Sequence, residues 1–324
     1  MLAAGCAQPA PSSKNDGEKQ YLESWIQLYH PDAVQTADGS YILEDIPGTG
    51  SPVGDPDNYP YLRLNFETRN LKGKITDYSD RKVAEQLGEF AEKNYYGPKT
   101  WYRGEDNLPV GLDDALEDMK AGGVRKILIP GWLLTNPKKG RYAKFEDYFK
   151  KESGTTEIYT LKPIERIADI EKWELDSLNR WMAVNYPSIS PEDTLKKGYF
   201  YVRTGEPADT KEFPKDTTFK INYIGRLLNG QVFDTTIRDT AKFYGIYNAS
   251  SAYEPVEITM AEEYTDIKMG STTVVDGFSF TISQMHAGEK GRGIFWSAMG
   301  YKQKGTGDAI PAYSPLIFDI EILH

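Results

Sequence analysis

Four aromatic residues and one carboxylate in the second half of the chain are candidates for a functional site. Tyr223, Phe233 and Asp234 lie close together in sequence, and Phe278 and Tyr301 follow. Taken singly, most have an ordinary structural interpretation. Phe278 recurs at helical spacing with other apolar residues, as core residues do, Tyr223 and Phe233 suit strand packing, and Asp234 follows a predicted turn. Tyr301 lies in a Gly- and Lys-rich loop, where a core role is hardest to explain.

Other chemistries find little support in the sequence. The three histidines, His30, His286 and His324, are far apart, and no spacing of Cys, His and Asp suggests zinc. There is no Gly-x-Ser-x-Gly elbow and no phosphate loop of the Walker type. The spaced glycines of residues 288–293 precede a predicted strand instead of opening a helix, which argues against a nucleotide. We therefore expect neither a metal nor another cofactor.

The chain repeats itself. Trp25 precedes Trp181 by 156 residues, and Phe66 precedes Tyr223 by 157. Further on, Met119 and Met285 are 166 residues apart. An offset that is nearly constant over many residues and then increases by 9, from 157 to 166, predicts a duplicated domain with a loop insertion. The length of 324 residues agrees with two domains of roughly 150 residues each.

The periodicity of each copy predicts an α+β domain in which an antiparallel sheet wraps around one short helix. Strands with alternating apolar residues are expected over 62–66, 219–223 and 316–321. Further strands are expected at 41–43 and 199–202, and a weaker one at 158–161. Amphipathic helices are expected over 19–29 and 164–184, each stopped by a proline. The short helices carry Leu112 and Phe278, and Gly122 and Gly288 are expected to end them.

The net charge of −10 argues against a nucleic-acid partner, which a basic surface would favour. No apolar stretch is long enough to span a bilayer. The only cysteine, Cys6, follows Leu2-Ala3-Ala4-Gly5 and precedes a polar tether, an arrangement that resembles the end of a bacterial lipoprotein signal. The alternative is a disordered N-terminus with an incidental cysteine. On the first interpretation, Cys6 is lipidated, and the membrane is contacted only through that anchor.

Five blocks of the second copy resemble FKBP-type peptidyl-prolyl isomerases. Their order and spacing agree with that family from about Tyr199 to Leu323. The first block is the run Ile221-Asn222-Tyr223-Ile224-Gly225-Arg226-Leu227-Leu228-Asn229-Gly230-Gln231-Val232-Phe233-Asp234. The others are Val274-Val275-Asp276-Gly277-Phe278, Met285-His286-Ala287-Gly288-Glu289, Gly300-Tyr301 with Ile310-Pro311, and the closing strand Leu316–Glu321.

The resemblance implies a role for each pocket residue. Phe278 would be the floor beneath a prolyl ring, and the Val275 N–H would meet a substrate carbonyl. Tyr301 and Ile310 would close over from a flap spanning 297–311, and Asp234 would orient polar neighbours near the twisting amide. The expected catalytic residues are Asp234, Tyr223 and Tyr301, and the expected substrate-binding residues are Phe233, Val274, Val275, Phe278, Ile310 and Phe318.

The sequence also departs from the family pattern. Phe278 stands where the family usually has Trp, and Ala312 replaces the second proline after Ile-Pro. Residues 239–254 form an insertion whose aromatics would either extend the substrate groove or pack on the neighbouring domain. In the first copy, Thr68 replaces the glycine of the tyrosine motif and Leu112 takes the floor position. We interpret that copy as a non-catalytic binding or spacer domain, with the aromatic run 94–102 as a contact surface.

The sequence therefore predicts four segments: a lipoprotein-like tether (1–18), a degenerate FKBP-like domain (19–163), a linker helix (164–190) and an isomerase domain (191–324). The expected function is isomerisation of Xaa-Pro bonds in extracytoplasmic proteins of a bacterial cell envelope, on the periplasmic side or at the outer membrane. Expected ligands are proline-containing polypeptides and FK506-like macrolides. The alternatives are a chaperone that holds chains without turnover and a structural part of an envelope assembly.

Overall fold

The computed structural model describes residues 13–104, 107–135, 145–151 and 154–323. Cys6 lies outside these ranges. The described chain forms two compact units. The first comprises the residues up to 84 together with 97–169, and the second comprises 85–96 together with the chain from 170 onward. The second unit is therefore discontinuous in sequence.

Antiparallel strands and short helices alternate in the first unit. Its sheet has the order β1-β2-β6-β7-β3-β4, and β5 also pairs with β3. The helix α2 begins in this unit and ends in the second. The elements are α1 (Lys14–Tyr29), β1 (Val34–Gln35), β2 (Tyr41–Ile46), β3 (Tyr61–Arg69), β4 (Ile75–Tyr78), α2 (Arg81–Leu87), β5 (Lys99–Tyr102), α3 (Val110–Ala115), β6 (Val124–Ile129), α4 (Gly131–Leu134), α5 (Phe145–Phe149) and β7 (Glu157–Ile167).

The second unit has an antiparallel sheet of order β13-β12-β11-β9-β15-β14-β8, and β10 also pairs with β9. Three 3₁₀ turns cover Tyr264–Asp266, Ser297–Met299 and Lys302–Lys304. The elements are α6 (Ile170–Asn185), β8 (Tyr199–Gly205), β9 (Thr218–Leu227), β10 (Val232–Thr235), α7 (Arg238–Phe243), β11 (Val256–Thr259), β12 (Lys268–Met269), β13 (Thr272–Thr273), α8 (Asp276–Ser283), β14 (Lys290–Phe295) and β15 (Leu316–Ile322). Antiparallel sheets with segregated helices confirm the predicted α+β class.

The two sheets share one strand order. The order β2-β6-β7-β3 of the first unit matches β8-β14-β15-β9 of the second, and β4 and β10 each pair with the equivalent strand. A side-chain detail also repeats. The Phe66 N–H donates to Ser79 Oγ at 2.9 Å, and the Tyr223 N–H donates to Thr236 Oγ1 at 2.9 Å. Agreement of strand order and of this contact supports the duplication inferred from the sequence.

The helix at the start of each copy packs through equivalent residues. Leu22 and Ile26 of α1 are buried, as are Leu178 and Met182 of α6. The predicted start of the second helix at Ile164 was wrong, because α6 begins only at Ile170. Residues up to Ile167 instead belong to β7, which pairs with β3 from Ile158 to Ile167 with one irregularity in the register. Ladder hydrogen bonds with β3 outweighed the helical spacing of a few apolar residues.

Both faces of the sheet in the second unit are covered by apolar residues. On one face, α6 packs over Phe200, Ile294 and Ile317. On the other face, α8 packs over a larger cluster that includes Tyr223 and Phe318. The predicted helix ends at Gly122 and Gly288 were wrong, since α3 ends at Ala115 and α8 at Ser283. These glycines, with positive φ angles of 80° and 72°, serve the turns that follow.

Candidate functional site

The strand β9 positions the centre of the candidate site. It lies between β11 and β15 and also pairs with β10, so its backbone is bonded on both sides. Its burial alternates: Ile221, Tyr223 and Leu227 are buried on the face that α8 covers. This is the period of two expected of a strand with one face in the core. The Tyr223 ring is therefore held in one orientation at the base of the site.

Two aromatic rings pack edge to face against the buried Phe278. Phe278 lies at the start of α8 and is 3% exposed. Its ring centroid is 5.5 Å from that of Tyr223, at an interplanar angle of 84°, and 4.9 Å from that of Phe318, at 81°. Edge-to-face packing in this range stabilises aromatic pairs beyond simple burial. The predicted floor residue thus packs between the rings of Tyr223 and Phe318. We call these three residues the aromatic box.

Gly225 permits the aromatic wall to approach the strand. The ring of Phe233 packs edge-on against Phe318, with centroids 5.7 Å apart. A Cβ added at Gly225 would lie 2.5 Å from Phe233 Cε2 and 3.0 Å from Phe318 Cε1. Any side chain would therefore displace the wall. The glycine of the tyrosine motif is a packing requirement of the pocket.

The polar groups of the site gather around Asp234. The Tyr223 hydroxyl donates to Asp234 Oδ2 at 2.6 Å, and the Thr235 N–H donates to Oδ1 at 2.9 Å. Burial, and then the charge of Asp234, raise the pKa of the phenols of Tyr223 and Tyr301. Both tyrosines therefore stay protonated donors at neutral pH. Tyr223, Asp234 and Tyr301 are brought into one electrostatic cluster.

Val274 and Val275 are half-buried and pack against the same apolar cluster. Val275 caps α8 with an extended backbone, and its carbonyl accepts from the N–H groups of Phe278 and Ser279. Its own N–H donates no backbone hydrogen bond within the described part of the chain. A donor in this position suits the predicted contact with a substrate carbonyl.

The loop predicted to be a flap folds back on itself. Thr306 and Ile310 exchange backbone hydrogen bonds of 2.8 and 3.2 Å, which close its tip. The Ile310 side chain is 2% exposed, and Tyr301 is half-buried against the same cluster. A Cβ on Gly305 would collide with the Ile310 carbonyl oxygen, so this turn requires glycine. The flap thus brings Tyr301 and Ile310 to the aromatic box.

A family model described as FKBP-type peptidyl-prolyl cis-trans isomerase matches residues 210–323. The FK506-binding protein 2 of Dictyostelium discoideum is 32% identical to this chain over 133 residues, which cover 41% of this chain and 81% of that protein. The chain belongs to the FKBP family of peptidyl-prolyl isomerases. A bacterial FKBP relative, a probable FKBP-type isomerase of Haemophilus influenzae, is 27% identical over 131 residues; they cover 40% of this chain and 44% of that protein. A solved structure of the three FKBP domains of wheat FKBP73 shares 15% identity and covers 89% of this chain and 94% of that one, with a TM-score of 0.31.

The glutamate of the Met-x-x-Gly-Glu block in this FKBP chain supports the sheet from within. The Glu289 side chain is fully buried. It accepts hydrogen bonds from the Tyr201 hydroxyl at 2.6 Å, Arg203 Nε at 2.8 Å and the His286 N–H at 2.9 Å. Burial alone would raise the pKa of Glu289, but these donors outweigh it and lower the pKa. Its role is structural, in the turn between α8 and β14.

The equivalent positions of the first unit line a cavity that includes several polar side chains. Thr68 takes the place of Gly225, and Leu112 takes the place of Phe278. Tyr159 stands where the second unit has Phe318, and its hydroxyl donates to Glu157 Oε2 at 2.9 Å. The side chains around it are Phe66, Thr68, Thr76, Asp77, Lys99, Trp101, Leu112, Glu157 and Tyr159. The aromatic box of the second unit is not reproduced there.

Tyr95 lies in the contact surface that the sequence predicts for the first copy, whereas the structure places it in the second unit. Tyr95 packs against the apolar cluster of the second unit, although it lies far before residue 170, where the main part of that unit begins. The predicted contact surface over 94–102 is divided: Lys99–Tyr102 forms β5 of the first unit, whereas Tyr95 and Tyr96 belong to the second.

The described ranges contain neither a metal-binding cluster nor a membrane-spanning helix. No cluster of His, Cys, Asp and Glu side chains there is arranged to hold a metal ion. No helix in the same ranges is long and apolar enough to cross a membrane.

Proposed function

We propose that the second unit catalyses cis–trans isomerisation of Xaa-Pro bonds in extracytoplasmic polypeptides, by non-covalent stabilisation of the twisted amide. The observation that carries the proposal is the aromatic box around Phe278, with the hydrogen-bonded pair of Tyr223 and Asp234 at its edge. The family assignment supports the reaction class. A prolyl ring fits such an apolar box, and the few polar groups beside it would contact the peptide backbone.

Rotation about an Xaa-Pro bond meets a barrier of about 18–20 kcal/mol, because amide resonance must be lost. No bond breaks and no proton is transferred, so the site needs no nucleophile. The planar amide is the more polar form, since resonance places charge on its oxygen and nitrogen. A largely apolar site therefore destabilises the planar amide relative to the twisted one. Interactions that act only on the twisted state accelerate the reaction.

Each residue of the site has a distinct part in this proposal. Phe278 supports the prolyl ring, while Tyr301 and Ile310 cover it. The Val275 N–H donates to a carbonyl of the substrate and fixes the chain on one side of the twisting bond. Asp234 holds the Tyr223 hydroxyl at 2.6 Å and places negative charge near the amide nitrogen. These parts orient the substrate without adding a reactive group.

We further propose that Cys6 carries a lipid that anchors the protein in the cell envelope, and that the first unit is a binding or spacer module. The segment Leu2–Cys6 with its polar continuation supports the anchor. The polar cavity lined by Leu112 and Tyr159 supports loss of isomerase activity in the first unit. FK506-like macrolides are proposed to occupy the box around Phe278 and to compete with substrate.

The experiment is measurement of cis–trans exchange in short Xaa-Pro peptides by NMR with the full chain. Wild type is compared with Tyr301→Ala, Phe278→Leu and, as a matched control, Leu112→Ala at the floor position of the first unit. We expect acceleration by wild type and by Leu112→Ala, and its loss in the other two. Circular dichroism of each variant checks that the fold is retained.

Absence of acceleration by the wild type would refute the isomerase proposal. If broadening of the peptide NMR lines still reported binding, the protein would be a chaperone with an isomerase fold that binds peptides without isomerising them. That alternative is favoured by Phe278 and Ala312, two of the departures from the family pattern.

A further inference from the structure

Residues 85–96 lie in the second unit, although they belong by sequence to the first repeat. Three contacts fix them there. The Tyr95 N–H donates to the Asp308 carbonyl oxygen at 2.7 Å. Gln231 Nε2 donates to the Lys93 carbonyl oxygen at 2.9 Å. A Cβ built on Gly245 would lie 2.9 Å from Glu92 Cγ. We call residues 89–96 the inserted segment.

These contacts place the inserted segment beside the candidate pocket. Asp308 lies in the flap, two residues before Ile310, and Gln231 lies in the turn two residues before Phe233. Ile310 and Phe233 are both pocket residues. The inserted segment therefore contacts two chain segments that each lead into a pocket residue.

The segment is itself ordered by local contacts. The rings of Phe90 and Tyr96 are stacked with centroids 5.4 Å apart, and the Ala91 N–H donates to the Tyr96 hydroxyl at 3.1 Å. Tyr95 is half-buried and packs against the apolar cluster of the pocket. An aromatic ring fixed by its neighbours loses little conformational entropy when it meets a ligand. The Tyr95 ring is thus preorganised to contact a bound substrate polypeptide.

We propose that Tyr95 is a specificity-determining residue of the isomerase site, which contacts the residue adjoining the proline of a bound substrate. This inference rests on the proposed function. With the prolyl ring held in the aromatic box, the chain must leave the pocket over its edge. The edge between Gln231 and Asp308 carries Tyr95. An aromatic side chain there favours apolar and aromatic neighbours of the proline over glycine.

The alternative is that the segment only braces the flap through the bond to Asp308. The two roles predict different effects of a Tyr95 substitution on the kinetic constants of different peptides. Bracing affects every peptide equally, because it acts on the flap common to all of them. A direct contact changes the order of preference among peptides and acts mainly through KM, since it binds the planar and twisted states alike.

The test uses the full chain and a panel of proline peptides that carry Gly, Ala, Leu or Phe before or after the proline. Wild type is compared with Tyr95→Ala, Tyr95→Phe and Leu87→Ala. Leu87 is exposed and lies on the same chain segment, outside the inserted segment, so its truncation is the matched control. Values of kcat and KM are measured for each peptide.

We expect Tyr95→Ala to reduce the preference for Leu and Phe over Gly by about three- to tenfold at one of the two positions. Tyr95→Phe should retain the preference, and Leu87→Ala should leave it unchanged. An unchanged preference in Tyr95→Ala, or an equal loss for all peptides, would overturn the inference while the isomerase function stands. A wild type inactive towards every peptide would refute the proposed function and this inference with it.

Discussion

Replacement of Gly225 by alanine tests the packing of the pocket with a single methyl group. The added Cβ would lie 2.5 and 2.6 Å from two atoms of the Phe233 ring and 3.0 Å from the ring of Phe318. Ordinary contacts of a Cβ begin at about 3.4 Å, so the overlap with Phe233 is about 0.9 Å. The backbone of β9 cannot retreat, because it is bonded to strands on both sides. The aromatic rings must therefore move.

Overpacking of this kind costs about 1–3 kcal/mol. For a unit of this size the midpoint of thermal unfolding should fall by about 2–12 °C. Phe233 is proposed to form one wall of the pocket, and its displaced ring would occupy part of the substrate-binding space. We therefore expect kcat/KM for proline peptides to fall at least about tenfold, a loss of about 1.4 kcal/mol.

The assay combines peptide exchange by NMR with thermal unfolding and with hydrogen–deuterium exchange of β9. The matched control is Thr68→Ala, which places alanine at the equivalent position of the first unit. Thr68 already carries a Cβ, so this substitution adds no atom beside the strand. If Gly225→Ala showed wild-type kcat/KM and unchanged exchange on β9, the close packing of Phe233 on this strand would be disproved.

Two further predictions concern protonation. The pKa of Glu289 is lowered in the folded state by donors that include Tyr201 and Arg203, which outweigh the effect of burial. The Glu289 carboxylate therefore binds a proton more readily in the unfolded chain than in the folded one. Its contribution to the free energy of unfolding is present above the unfolded pKa of about 4.3 and is lost as pH falls through the folded pKa. Glu289→Gln should lower stability at neutral pH and flatten the acid side of the stability profile measured by urea unfolding; equal pH dependence in both proteins would contradict this. Since the pKa of Tyr223 and Tyr301 is raised, kcat/KM should stay constant from about pH 6 to about pH 9, whereas a fall centred below pH 9 would show that one of these phenols ionises.

The sequence predicted the parts of the fold that depend on local periodicity. The alternation of Phe219, Ile221 and Tyr223 reflects β9, and the closing strand is β15. The aromatic residues of the box could also be predicted, because the motif blocks keep their order. The extent of β7 could not, since the pairing with β3 that holds residues 164–167 is a long-range contact.

The position of Tyr95 depends on a contact between residues more than 200 positions apart in sequence, Tyr95 and Asp308. No local pattern indicates such a contact. The aromatic content of the run 94–102, which includes Tyr95, did predict a contact surface, but it did not predict which unit Tyr95 joins. Sequence reasoning was therefore strongest within one copy and weakest where the chain leaves its own repeat.

The discontinuous second unit has a consequence for synthesis of the chain. The inserted segment leaves the ribosome about 230 residues before the last strand of the unit that receives it. At about 5–20 residues per second, it waits for about 10–50 s. During that interval the first unit can complete its sheet while Phe90, Tyr95 and Tyr96 have no docking partner. Translation speed and chaperones that bind aromatic segments should therefore influence the yield of active protein.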